Sequence, residues 1–251
     1  MKKILVTGGA GYIGSKLVNK LIELNYKVTV IDTLKFSSNS LNHLFGNDNF
    51  KFIKGDVRNY KLIKNLINKN EYIIPLAALV GAPICEKNKK EAISTNLESI
   101  KMMMKFVSKK NKIIYLTTNS GYGVGEKNKY CTEESPLNPI SLYGRTKVEA
   151  EKVVMKNKNS VGFRLATVFG YSYRMRTDLL VNNFVFKSIK EKKLVIYEPN
   201  FRRNFIHIDD VVNAIIYSIK NFNNLKSNVY NLGLSSANLT KYVLAKKIQK
   251  K

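Results

Sequence analysis

Cysteine is scarce in this 251-residue chain: there are two, Cys85 and Cys131, far apart and without metal-ligand spacing. That excludes a disulfide framework and a cysteine-built metal site, and it suits a cytoplasmic protein with reduced thiols. No metal is expected. Long hydrophobic runs are missing too, none approaching the roughly 18 residues of a membrane span. Acidic residues are few, 18 against 43 Lys and Arg, which leaves a formal net charge of +25. Arginine is sparse as well, only seven of those 43 basic residues. The rest are lysines dispersed along the chain, with no run of about five or six like charges, so they describe a solvated surface and not a nucleic-acid-binding arm. The charge can still attract an anionic small substrate. Internal repeats and low-complexity segments are lacking, apart from the lysine bias.

What is present is an ordinary globular composition, 44% hydrophobic and 24% charged, with a regular alternation of apolar patterns. Strand-like runs fall at 4–6, 28–31, 50–53, 72–76, 113–116 and 161–165, and helical stretches at 13–24, 61–68, 91–107 and 142–156. Strands alternating with helices imply an α/β fold, a doubly wound parallel sheet of Rossmann type. Such a sheet binds ligands beyond the carboxyl ends of its strands, where strand order reverses. Past about residue 170 the alternation weakens into a helix at 179–190, a strand at 194–197, a helix at 209–220 and another from 240. The expected division is a dinucleotide-binding domain over 1–168 and a smaller mixed α/β substrate lobe over 169–251, some of whose segments return to the first domain.

The residues after the strands carry the chemistry. Gly8, Gly11 and Gly14 follow the first strand and open a helix with Tyr12 and Ile13, so backbone can approach a pyrophosphate and the helix N-terminus can meet it. The second strand ends at Asp32, placed to accept hydrogen bonds from both ribose hydroxyls and to repel a 2′-phosphate, which favours NAD over NADP despite nearby Lys35. Asp56 and Val57 after the third strand are placed to bracket the adenine. Leu76, Ala77 and Ala78 end the fourth with small side chains beside the cofactor. Tyr143 and Lys147, at i and i+4, share one helix face, where the ammonium can lower the phenol's pKa and ready it as a base. Thr118, after the fifth strand, can hold the reacting hydroxyl in line. These three form the expected catalytic set and also touch the cofactor.

At this point the chain resembles the extended short-chain dehydrogenase/reductases, the NAD-dependent nucleotide-sugar epimerase/dehydratase family, over almost all of its length. The carrying stretches are 7–14, Tyr122-Gly123 after Thr118, 143–147, 203–210 and Tyr230-Asn231-Leu232-Gly233. The resemblance implies a nucleotide-diphosphate sugar as substrate, a homodimer as assembly, and Asn96 near the cofactor. It also implies a loop beside the nicotinamide from 164 to 170, and Asn182 and Arg203 facing the nucleotide diphosphate. Arg174 and Arg176 suit that diphosphate too, as bidentate phosphate ligands. His207 reads as structural.

Departures sharpen the reading. Pro75 and Tyr171 stand where the family often has His and Pro. Asn119 and Ser120, expected beside the substrate, stand where 4,6-dehydratases carry an Asp-Glu pair, so the carboxylates for removing water are missing and dehydration is disfavoured. What remains is oxidation at C4, alone or followed by re-reduction as a 4-epimerase, for surface polysaccharide synthesis. The stretches 77–83, 117–123 and 174–179 look like GDP-heptose 4-dehydrogenases. The family continues beyond Tyr-Asn-Leu-Gly with further nucleotide contacts, so the chain reads as C-terminally truncated and the lobe as incomplete. The rival reading is a non-catalytic NAD-binding scaffold or redox sensor that binds RNA, resting on the charge alone.

Overall fold

The computed structural model describes residues 1–36, 39–125 and 130–250. Strands and helices alternate through the first two thirds: β1 (Lys3–Thr7), α1 (Tyr12–Glu23), β2 (Lys27–Asp32), β3 (Phe50–Lys54), α2 (Tyr60–Lys69) and β4 (Tyr72–Pro75). Then come α3 (Ala82–Lys87), α4 (Lys89–Ile93), a π-helical turn (Ser94–Glu98), α5 (Ser99–Met104), β5 (Lys112–Thr118), α6 (Leu142–Met155) and β6 (Ser160–Leu165). The remainder holds β7 (Thr167–Phe169), α7 (Leu180–Lys190), β8 (Arg202–His207), α8 (Ile208–Lys220), α9 (Phe222–Leu225), β9 (Val229–Leu232), β10 (Asn238–Thr240) and α10 (Lys241–Gln249).

Seven strands pair in the order β3-β2-β1-β4-β5-β6-β9, all parallel. This is the doubly wound sheet expected from the alternation. The pleat sends successive side chains to opposite faces: Ile4 and Val6 pack with α1 and α8, whereas Leu5 packs with α2, α5 and α6. Both faces are covered, which is why these strands are continuously apolar. The order reverses at β1, whose neighbours are β2 and β4, so the crevice at their carboxyl ends is the place for a ligand.

The second half contributes to both sheets. Helix α8 completes the layer beside α1, and β9 becomes the edge strand next to β6. The small lobe is a three-stranded sheet, β10-β8-β7, with α7 and α10 packed around Phe205. The strand expected at 194–197 does not form. Leu194 and Ile196 pack on the lobe core without a paired neighbour, and pairing goes to the polar run Arg202–His207. The helix expected over 91–107 is broken by its π-helical turn and ends at Met104.

Candidate active site

The glycine loop is shaped by close approach. Gly8 has φ +68°, and a Cβ there would lie 2.6 Å from the Ala77 amide nitrogen, where β1 and β4 converge. At Gly14 a Cβ would fall 2.4 Å from the Gly8 carbonyl oxygen. The helix that follows starts at Gly11 with no side-chain cap and no acidic residue in its first turn, so its dipole end faces the crevice uncompensated. Asp32 accepts from the Ala10 N–H (3.0 Å, Oδ2) and the Leu34 N–H (2.8 Å, Oδ1). An ionised carboxylate has about four acceptor sites, which leaves lone pairs for a ribose. Glycine cradle, bare helix end and strand-end acid together fit a dinucleotide.

The other strand-end residues are placed differently from one another. Asp56 is gripped by the Arg58 guanidinium (2.5 and 2.9 Å), which holds its carboxyl below the usual range, while Val57 is buried in the sheet's second core. The Ala77 N–H donates to the Thr7 hydroxyl (3.2 Å), and Leu76 and Ala77 flank the glycine loop. Asn96, in the π-helical turn, clasps the Leu79 backbone through both N–H (2.8 Å) and carbonyl (2.9 Å). That fixes the segment after Ala78, and single π turns recur where a helix must present one side chain this way.

A strap from Gly170 to Asn182 crosses this loop and is latched to it. The Tyr12 hydroxyl donates to the Gly170 carbonyl (2.7 Å) and accepts from Asn182 Nδ2 (3.2 Å); Asn182 Oδ1 in turn accepts the Gly170 N–H (3.0 Å). Ser172 Oγ donates to the Tyr12 carbonyl (2.6 Å) and meets Ser15 Oγ at 2.9 Å. His207, whose Nδ1 caps α8 by accepting the Asp209 N–H (3.3 Å), packs its ring against Gly170. Asn182, expected on the substrate, thus has its amide committed to the latch. Arg203 lies outside it, exposed on β8 over the Phe201 ring.

The catalytic candidates converge at the start of α6, capped by the Ser141 hydroxyl (3.1 Å from the Gly144 N–H). A Cβ at Gly144 would lie 3.2 Å from the Ser120 carbonyl, so the helix and the turn after β5 are in close contact. Thr118 Oγ1 accepts the Ser120 N–H (3.1 Å) and donates to Ser120 Oγ (3.2 Å). Tyr143 packs against Leu79, Cys85 and Ala92, and burial, with Cys85 adding to it and Arg176 opposing it, pushes its phenol up to about 12. Lys147 is buried over the face of Tyr115, 4.2 Å from the ring centroid, and burial brings it down to about 7 against the pull of Glu151. The expected lowering of Tyr143 by Lys147 is therefore not what acts on the phenol. Desolvation dominates, and the cation bearing on the phenol is Arg176.

Beneath them lies a buried network that spacing alone did not expose. Arg164 holds Glu151 through Nε (3.1 Å) and Nη2 (2.7 Å), and its Nη1 donates to the Tyr122 hydroxyl (2.9 Å) and the Glu133 carbonyl (2.8 Å). Tyr122 donates onward to Asn231 on β9 (2.6 Å). Arg164, read as the start of a nicotinamide loop, is instead the buried hub of this network. The signal for Glu151 was its place at i+4 from Lys147.

The model of the NAD dependent epimerase/dehydratase family matches residues 4–233. A Methanocaldococcus jannaschii protein whose name includes UDP-glucose 4-epimerase is 30% identical over 92% of this chain and 76% of its own length. The dTDP-D-glucose 4,6-dehydratase of Dictyostelium discoideum is 29% identical over 99% of this chain, which spans 62% of that protein. Among solved structures, the UDP-glucuronic acid 4-epimerase of Bacillus cereus with UDP-glucuronic acid and NAD superposes with a TM-score of 0.82. It is 28% identical, covering 92% of this chain and 77% of that one.

Proposed function

The chain belongs to the NAD dependent epimerase/dehydratase family, and on that footing we propose that it oxidises the C4 hydroxyl of a nucleotide-sugar. It would act as a 4-dehydrogenase or, with re-reduction, a 4-epimerase serving surface polysaccharide synthesis. That it is an NAD-dependent enzyme of nucleotide-sugars follows from the family and its neighbours. The observation that carries the finer reading is the pair after Thr118: Asn119 and Ser120 bring no carboxylate to the reacting carbon. Elimination of water needs an acid and a base beyond Tyr143, and the charges acting on Tyr143, Cys85 and then Arg176, include no carboxylate among the described residues.

Gly8, Gly11 and Gly14 with the start of α1 would hold the pyrophosphate of NAD, and Asp32 the adenosine ribose; NAD supplies the hydride acceptor when bound. The chain's own residues handle the proton. Tyr143 takes it from the sugar hydroxyl, which requires a phenol brought below about 12, the value it holds with Arg176 already pulling it down, by further positive charge at the site. Thr118 orients the hydroxyl. Its donation to Ser120 leaves the Ser120 proton uncommitted, a donor for the same oxygen or its neighbour. Lys147, on the same helix face one turn on, stands over Tyr115 with its pKa brought down to about 7, so it can give or take a proton near neutral pH. Arg176, with Asp178 as its ion-pair partner, is the guanidinium offered to the nucleotide diphosphate.

Incubating the protein with NAD and a panel of UDP-, dTDP- and GDP-sugars tests this by mass spectrometry and NMR. The expected product is a 4-keto sugar or a C4 epimer. A dehydrated product would overturn the reading, and so would an untouched panel from protein that binds NADH.

A further inference from the structure

Arg174 and Arg176 are two residues apart on the strap, a spacing that would put both side chains on one side of an extended backbone. Their surroundings nevertheless differ. Arg176 pairs with Asp178 and bears on Tyr143, at the reacting end. Arg174 is anchored by its backbone N–H on Ser15 Oγ (3.3 Å), in the first turn of α1, and its guanidinium lies 5.3 Å from the centre of the Phe36 ring. Phe36 follows Asp32 by four positions, and the charges acting on Arg174 are Arg176, then Asp178 and Asp32. No ion pair or side-chain hydrogen bond holds the Arg174 guanidinium among the described residues.

A half-buried guanidinium with its donors unfilled, stacked on an aromatic ring beside a ribose-reading acid, is built to meet an anion. Lys35, the other cation near Asp32 and also over the Phe36 ring (5.7 Å), is paired: its ammonium lies 2.6 and 2.7 Å from the two carboxylate oxygens of Glu91. We propose that Arg174 is a cofactor residue and not a sugar-nucleotide residue: on its Phe36 platform it reads the 2′ position of the adenosine ribose and admits a 2′-phosphate. The chain then binds NADP as well as NAD, with Asp32 serving the hydroxyl form and Arg174 the phosphorylated one. This rests on the dinucleotide site described above. It reverses the expectation that Asp32 shuts NADP out and that both arginines grip the diphosphate.

Titration of nicotinamide fluorescence with NADH and NADPH at fixed ionic strength tests the assignment on the wild type, Arg174→Gln and Phe36→Leu, with uridine diphosphate binding followed by calorimetry. The wild type should bind the two cofactors within about tenfold of one another, and Arg174→Gln should weaken NADPH on the order of 10- to 100-fold, the range for charge-assisted bonds. NADH should lose less than about threefold, since its 2′-hydroxyl keeps Asp32. Phe36→Leu should move NADPH in the same direction by less. Uridine diphosphate binding should not change. Equal losses of both cofactors, an unchanged NADPH affinity, or a lost uridine diphosphate affinity would each overturn the assignment. So would a wild type that binds NADH alone; one that binds neither would overturn the dinucleotide site as well.

Discussion

Tyr143, Lys147 and Glu151 occupy successive turns of one face of α6, yet the two ends of that row are held in opposite ways. At the lower end Glu151 and Arg164 are 3% and 7% exposed, and each guanidinium nitrogen of the arginine donates to an oxygen. At the upper end Lys147 is as deeply buried, 6% exposed, but is met by the face of Tyr115 and has no ion-pair partner among the described residues. The Tyr115 hydroxyl nearby has no hydrogen-bond partner among the described residues either. The same helix thus carries a satisfied polar cluster and an unsatisfied one a turn apart. Satisfied buried charges fix geometry; unsatisfied ones are shifted in pKa and available for chemistry. Scaffold and reactive end can be separated by substitution.

The largest effect should come from the reactive end. Tyr143→Phe keeps the ring packed against Leu79 and Cys85 and deletes the group assigned to take the hydroxyl proton. Hydride transfer should slow on the order of 10²- to 10⁴-fold, the usual share of general acid-base catalysis, with NADH affinity and thermal stability nearly unchanged. Single-turnover absorbance of NADH with a confirmed sugar nucleotide measures it. A near-normal rate would remove Tyr143 from the mechanism.

At the scaffold end the expectation is inverted. Arg164→Met leaves the Glu151 carboxylate buried without its partner and should cost about 3–5 kcal/mol of stability in chemical denaturation. Adding Glu151→Leu should return much of that loss, because the penalty belongs to the orphaned charge. A single variant that loses under about 1 kcal/mol would show the pair to be dispensable and the contrast along α6 to be false.

How far each end was legible in the sequence follows the same division. The glycines, Asp32, Thr118, Tyr143 and Lys147 stand at the ends of strongly periodic elements, where spacing converts directly into position. The doubly wound sheet was readable for that reason. The strands Thr167–Phe169, Arg202–His207, Val229–Leu232 and Asn238–Thr240 were not. They are short, polar or half-buried, and they pair with partners far along the chain, so no local period announces them. The 194–197 run shows the converse, since apolar character without a neighbouring strand produced packing and no pairing. At the site, residue types were legible and partners were not. Only the fold shows Asn182 latched to Tyr12, Arg174 turned toward Phe36, or Arg164 buried on Glu151.

The smallest of these effects is also the most diagnostic of the reactive end, because it changes with pH. Folding brings Lys147 from its ordinary 10.5 down to about 7. Below about 7 both folded and unfolded chains carry this proton, and the fold bears the full cost of burying the charge. Between about 7 and 10.5 the folded chain has released the proton and the unfolded chain has not, so the cost shrinks as pH rises; above 10.5 it is gone. Lys147→Met removes a destabilising term, and the variant should be more stable than the wild type, most of all at or below neutral pH. At roughly 1.4 kcal/mol per pKa unit, and allowing for the lost contact with the Tyr115 ring, the gain should be on the order of 2–4 kcal/mol. It should fade toward zero near the ordinary lysine pKa. Denaturation of both proteins across this range follows the difference, which cancels the titration of the many surface lysines. A gap that stays constant with pH would show that Lys147 keeps its proton in the fold throughout. The variant should also turn over substrate more slowly, since Lys147 belongs to the assigned catalytic set, and stability gained there is activity lost.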